Sequence, residues 1–81
     1  MYTRKNFGQE LKSRLLQKHS VADIGHWSYS VYLENIHVID LEFRDILLTL
    51  NTMEDGPEFA FTYDELNKIA DELIAGKEIK F

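Results

Sequence analysis

The chain has 81 residues, no cysteine, one proline and an apolar share of 44%. Those values place it among single globular domains, exclude a disulfide framework and thiolate metal sites, and argue against intrinsic disorder. Its formal net charge is −5, which disfavours nucleic acid and favours basic partners. The charge is uneven along the chain. Residues 1–18 hold five basic residues against Glu10, for +4, whereas residues 19–81 hold four against thirteen acids, for −9. No apolar run approaches the roughly 20 residues of a membrane span. Met1-Tyr2-Thr3-Arg4-Lys5 has no apolar run behind it, so a cytoplasmic chain without a signal peptide is expected.

The first helix is predicted to start near Asn6, with Gln9 in the reciprocal capping position and Phe7, Leu11 and Leu15 at intervals of four. Lys12, Arg14 and Lys18 are expected to point away, and Gly8 to weaken the first turn.

Residues 20–35 carry two patterns. Ser20 with Asp23 three residues later reads as a helix cap, followed by Ile24, Trp27 and Val31 on one helical face. Trp27, Tyr29, Val31 and Leu33 also alternate, as a strand would. The cap favours helix, with Trp27 in the core. Tyr29 and Tyr32 then cannot share its face, and exposed tyrosines are common anchors of binding surfaces.

Residues 40–53 repeat the ambiguity. Asp40 can cap a helix with Phe43, Leu47 and Leu50 on one face and Ile46 and Met53 flanking. Leucine-rich segments suit helices better than strands. The rival is a hairpin around residues 46–61, turning at Glu54-Asp55-Gly56-Pro57 and returning through Phe59 and Phe61. Gly56-Pro57 is a break in either case. Glu58-Phe59-Ala60-Phe61 is expected to be extended.

The last helix has the fullest local signals. Thr62 and Glu65 form a capping box, and Phe61 and Leu66 have the spacing of a hydrophobic staple. Leu66, Ile69, Ala70, Leu73 and Ile74 make an apolar stripe, Gly76 is placed as a left-handed stop, and Lys77 lies near the negative end of the helix dipole. The expected architecture is one all-α, compact four-helix domain over residues 1–81, with a short extended stretch before the last helix. The alternative is α+β with the 46–61 hairpin.

No catalytic, cofactor or metal site is expected. His19, His26 and His37 lack ligand spacing. A calcium loop from Asn51 to Thr62 fails because Met53 stands third, where an oxygen ligand is needed, and Thr62 twelfth, where a bidentate Glu is needed. Gly8, Gly25, Gly56 and Gly76 are too far apart to cradle a phosphate. Ser20, Ser28 and Ser30 lack a nucleophile-elbow setting. A helix-turn-helix reader would need Arg, Lys, Asn or Gln on its second helix, and the second helix offers His26 at its start. Binding to protein remains. The candidate residues are the acidic cluster Glu54, Asp55, Glu58, Asp64 and Glu65 and the aromatic pair Tyr29 and Tyr32. Asp64 and Glu65 also serve the helix start, whereas capping does not account for Glu54, Asp55 and Glu58.

Ser20-Val21-Ala22-Asp23-Ile24-Gly25-His26-Trp27-Ser28 resembles a helix start, Ser-x-x-Glu-x-x-x-Trp-Ala, that recurs in small all-helical bacterial immunity proteins of polymorphic toxin and contact-dependent inhibition systems. Asp23 stands in place of Glu and Ser28 in place of Ala. Met53-Glu54-Asp55-Gly56-Pro57-Glu58-Phe59 and the following helix resemble the corresponding C-terminal half, and the acidic four-helix plan is similar to the colicin D type of immunity protein. The resemblance covers about two thirds of the chain. It implies a non-catalytic, stoichiometric inhibitor without cofactor that binds a basic, nuclease-type toxin domain, with no nucleic acid or membrane as partner. Glu54, Asp55 and Glu58 would steer the encounter, and Tyr29 and Tyr32 would anchor it. A cytoplasmic adaptor or regulatory subunit is the alternative, and a homodimer is compatible with either.

Overall fold

The computed structural model describes residues 2–79. They are all-α. Four helices run in order, α1 (Arg4–Leu16), α2 (Val21–Asn35), α3 (Leu41–Asn51) and α4 (Tyr63–Ile74), with two short 3-10 turns, Thr52–Glu54 and Pro57–Phe59, between α3 and α4. No strand occurs among the described residues, so the 46–61 hairpin is not adopted. Phe43, Ile46, Leu47, Leu50 and Met53 are all buried. Their three- and four-residue spacing buries one face of a helix, whereas a strand would split them between two faces. The stretch expected to be extended at residues 58–61 is partly coiled instead. Pro57 supplies the fixed φ of the first residue in the second 3-10 turn, and Ala60 is extended.

The helices group into two compact units: residues 2–19 with 61–79, and Ser20–Ala60. The first holds α1 against α4. Phe7, Leu11 and Leu15 of α1 and Leu66, Ile69, Ala70 and Leu73 of α4 are its buried apolar residues. Each fully buried Leu or Phe contributes about 1.5–3 kcal/mol relative to exposure. Gly8 is part of this contact. A Cβ there would lie 2.9 Å from the Ala70 carbonyl oxygen and 3.0 Å from Leu73 Cβ and Ile74 Cγ1. The residue expected only to weaken a turn is therefore what lets the two backbones approach. Lys12 pairs with Asp71 across the same helices, and the Tyr63 hydroxyl donates to the His19 carbonyl at 2.8 Å.

Both helices of this unit are closed at both ends. α1 starts earlier than expected, because Thr3 and Asn6 form the capping box. The Thr3 hydroxyl accepts from the Asn6 amide, and the Asn6 side chain accepts from the Thr3 amide, both at 3.1 Å. In α4 the Thr62 and Glu65 box forms as expected. Gly76 has φ 74°, and its amide donates to Leu73 while that of Lys77 donates to Glu72. That pair of bonds is a Schellman stop. The same motif closes α1, with Lys18 to Leu15 and His19 to Arg14. There a lysine rather than a glycine takes the left-handed conformation, at φ 58°.

In the Ser20–Ala60 unit, α2 packs on α3 and the first 3-10 turn. Ser20 caps α2 by accepting from the Asp23 amide, and Asp40 caps α3 by accepting from the Phe43 amide at 2.7 Å. Ile24, Ser28 and Val31 form the buried stripe of α2. Trp27, expected in the core, is only half-buried. Ser28 takes the central place instead, fully buried with its hydroxyl donating to the Ile24 carbonyl at 2.9 Å. That bond satisfies the hydroxyl within the helix and leaves room for close packing. Gly25 lies beside it: a Cβ there would sit 3.0 Å from the Leu50 carbonyl oxygen.

Candidate interaction surface

The Ser20–Ala60 unit concentrates negative charge. Its carboxylates are Asp23, Glu34, Asp40, Glu42, Asp45, Glu54, Asp55 and Glu58, and its one basic residue of the Lys or Arg type is Arg44. Eight acids against one arginine leave −7 on 41 residues, whereas the remaining sequence carries eight basic residues against six acids. The Arg44 guanidinium donates to its neighbour Asp45 at 3.2 Å. Net charge of this density in one small unit produces a field that attracts cationic partners and repels anionic ones.

Glu54 ends the first 3-10 turn of this unit, Asp55 follows it and Glu58 lies in the second, and all three are exposed. Glu54 differs from the other two. One carboxylate oxygen meets His26 Nδ1 of α2 at 3.0 Å. The Asn51 amide, oriented so that its nitrogen faces acceptors, donates to the other oxygen at 2.7 Å and to the Gly25 carbonyl at 3.1 Å. Glu54 thus ties the turn to α2 and is fixed in place, which sequence spacing could not show because the bond spans 28 positions. Asp55 and Glu58 are exposed on the same short segment. Asp64 and Glu65 belong to the other unit, in the first turn of α4, where Glu65 closes the capping box by accepting from the Thr62 amide at 2.9 Å.

His26 lies one helical turn before Tyr29 on α2, so the bound end of the acidic turn adjoins the aromatic pair. Tyr29 is exposed and Tyr32 half-buried, with ring centroids 5.9 Å apart and planes tilted by 34°. That spacing lies within the range of favourable aromatic pairs. Residues not singled out by sequence extend the apolar surface. Leu33 is 51% exposed, Ile36 43%, Val38 55% and Leu41 68%. Their apolar character is plain in the sequence, but burial is decided by which face of α2 receives α3.

The other unit offers a shallow depression of about 310 Å³ lined by Glu10, Ser13, Arg14, Gln17 and His19. Gln17 Nε2 donates to Ser13 Oγ at 3.3 Å, and its Oε1 meets His19 Nε2 at 3.1 Å. The amide stands between the serine and the imidazole, so the histidine is not placed to take the hydroxyl proton. Among the described residues no group of three or more His, Cys, Asp or Glu could hold a metal ion, and no helix is long and apolar enough to cross a membrane. Comparison with known protein families, curated proteins and solved structures finds no match to this chain.

Proposed function

We propose that this chain is a stoichiometric protein-binding inhibitor of the immunity type, and that the Ser20–Ala60 unit receives a basic, nuclease-type toxin domain. The observation that carries the reading is the joint presence, in one compact unit, of eight carboxylates against one arginine and an aromatic pair on α2 of which Tyr29 is exposed and Tyr32 half-buried. Opposite charge steers encounter towards roughly 10⁸–10⁹ M⁻¹s⁻¹ at low salt, and desolvated aromatics slow dissociation. Asp55 and Glu58 supply steering charge. Glu54 shapes the turn that carries them, and Tyr29 and Tyr32 anchor. The resemblance of residues 20–28 and 53–59 to immunity proteins points the same way.

Co-expression with the C-terminal domain encoded by the gene immediately upstream tests the reading: that domain is expected to stop growth when expressed alone and to be tolerated when this chain is present, and a harmless neighbour or one that kills regardless would move the adaptor reading to first place. In vitro, Asp55→Lys with Glu58→Lys is expected to lower the association rate with that domain by about tenfold or more at low salt and to flatten its salt dependence, with unchanged helical content. An unchanged rate and salt slope would remove the steering role. The second reading is an adaptor that binds through apolar surface alone. The exposure of Leu33, Ile36, Val38 and Leu41 favours it, and association insensitive to salt would establish it over the first.

A further inference from the structure

α2 has two apolar faces, and α3 covers one of them. Ile24, Ser28 and Val31 are buried. Tyr29, Leu33 and Ile36 follow one another at four- and three-residue steps and are exposed at 38%, 51% and 43%. They form a line of about 10 Å along the helix, by its rise of roughly 1.5 Å per residue. Tyr32 lies beside Tyr29, and Val38 and Leu41 continue the exposed apolar residues through the turn into α3. A solvated helix face normally carries charged and polar side chains. Here Tyr29 and Leu33 of α2 and its C-cap residue Ile36 are apolar and in register.

Carboxylates of the same unit lie near the start of this line and follow its end in the sequence. At the Tyr29 end, Glu54 is held on His26, with Asp55 next to it. Past Ile36 in sequence, Glu42 and Asp40, the latter capping α3, stand on either side of the exposed Leu41. We infer that the line Tyr29–Leu33–Ile36 is a docking stripe for a cationic amphipathic helix of the partner, whose apolar residues pack on the stripe while its lysines and arginines meet these carboxylates. The inference rests on the basic-partner reading above and specifies which element of such a partner is recognised. Charge selects against the alternatives. A second copy docking stripe to stripe would bring one unit of −7 against another, and an anionic lipid surface would be repelled in the same way. Geometry selects a helix, because residues at this spacing form a ridge that packs into the groove of another helix.

The test uses the full chain and a synthetic amphipathic Leu/Lys peptide of about five helical turns. Its controls are a scrambled isomer and a Leu/Glu peptide with the same pattern. Calorimetric titration at about 0.15 M salt is expected to show binding of the patterned Leu/Lys peptide and at least about tenfold weaker binding of both controls. Leu33→Ser with Ile36→Ser is expected to weaken that binding about tenfold or more, with the circular dichroism spectrum and melting temperature retained because both residues are exposed. Equal binding by the double variant, or equal binding of the scrambled isomer, would overturn the stripe. So would a homodimer that the same double variant dissociates, since a second copy would then be the occupant. The two readings fail separately. Absence of rescue from the toxin leaves the peptide result standing, whereas rescue that survives Leu33→Ser with Ile36→Ser retains the inhibitor and removes the stripe.

Discussion

The α1–α4 pair and the α2–α3 pair solve the same packing problem with different finishes. Each buries a stripe of large apolar residues, and each uses a glycine, Gly8 or Gly25, where backbone or side-chain atoms of the facing segment come close. In the first pair both helices have a capping box and a Schellman stop. In the second, Ser20 and Asp40 cap the starts without a box, neither end is in the left-handed conformation, and α2 carries three side chains that donate back to its own carbonyls: Ser28, Ser30 and Asn35. Such back-bonding weakens and bends helices slightly. The second pair also holds −7 of charge and six of the eight large apolar residues that are exposed. One pair is finished locally for stability. The other relies on its core and keeps apolar and acidic surface open, and the proposed inhibitor reading expects that division.

The comparison can be broken most forcefully at the cores. Leu47→Ala in α3 and Leu66→Ala in α4 each remove a fully buried side chain and are expected to cost about 2–5 kcal/mol in urea unfolding. A cost below about 1 kcal/mol for Leu47→Ala would mean that the α2–α3 core is not close-packed, and its exposed apolar face would then reflect loose packing rather than binding.

Next in size are the glycines. Gly8→Ala gains about 1 kcal/mol of helix propensity but forces a Cβ against three atoms at 3.0 Å or less, and overpacking of that kind costs about 1–3 kcal/mol. A net loss of stability is expected. Gly25→Ala meets one atom at 3.0 Å and two at 3.4 Å, so its loss should be smaller. The reverse order would show that α2 and α3 are the more tightly apposed pair.

The caps sharpen the contrast in smaller steps. Thr62→Ala breaks a reciprocal pair and is expected to cost about 1 kcal/mol or slightly more, with Ser20→Ala below it because Ser20 makes one cap bond. The smallest effect has the opposite sign. Lys18→Gly relieves a left-handed lysine and should raise the urea midpoint by the equivalent of about 1 kcal/mol or less, since glycine also gains freedom in the unfolded chain. No gain would mean that the Lys18 side chain contributes as much as its backbone strain removes.

Much of the secondary structure was legible from residues 2–79 read in order. The caps at Ser20, Asp40 and Thr62, the stop at Gly76 and the buried sets of α3 and α4 depend on groups within one or two turns of each other, and short-range hydrogen bonds and helical periodicity leave a local pattern. The misread start of α1 was local too, since Asn6 can serve as the cap or as its reciprocal partner, and the Thr3 hydroxyl settles it as the latter. What the sequence could not determine was pairing. The basic first segment and the acidic last helix lie in one unit, where their charges offset to +2, which leaves the middle of the chain with a net −7. That same middle segment puts Ser28 in its core ahead of Trp27, binds Glu54 to His26, and leaves Tyr29, Leu33 and Ile36 in solvent. Each of these depends on which faces meet across tens of residues, and only tertiary packing carries that information.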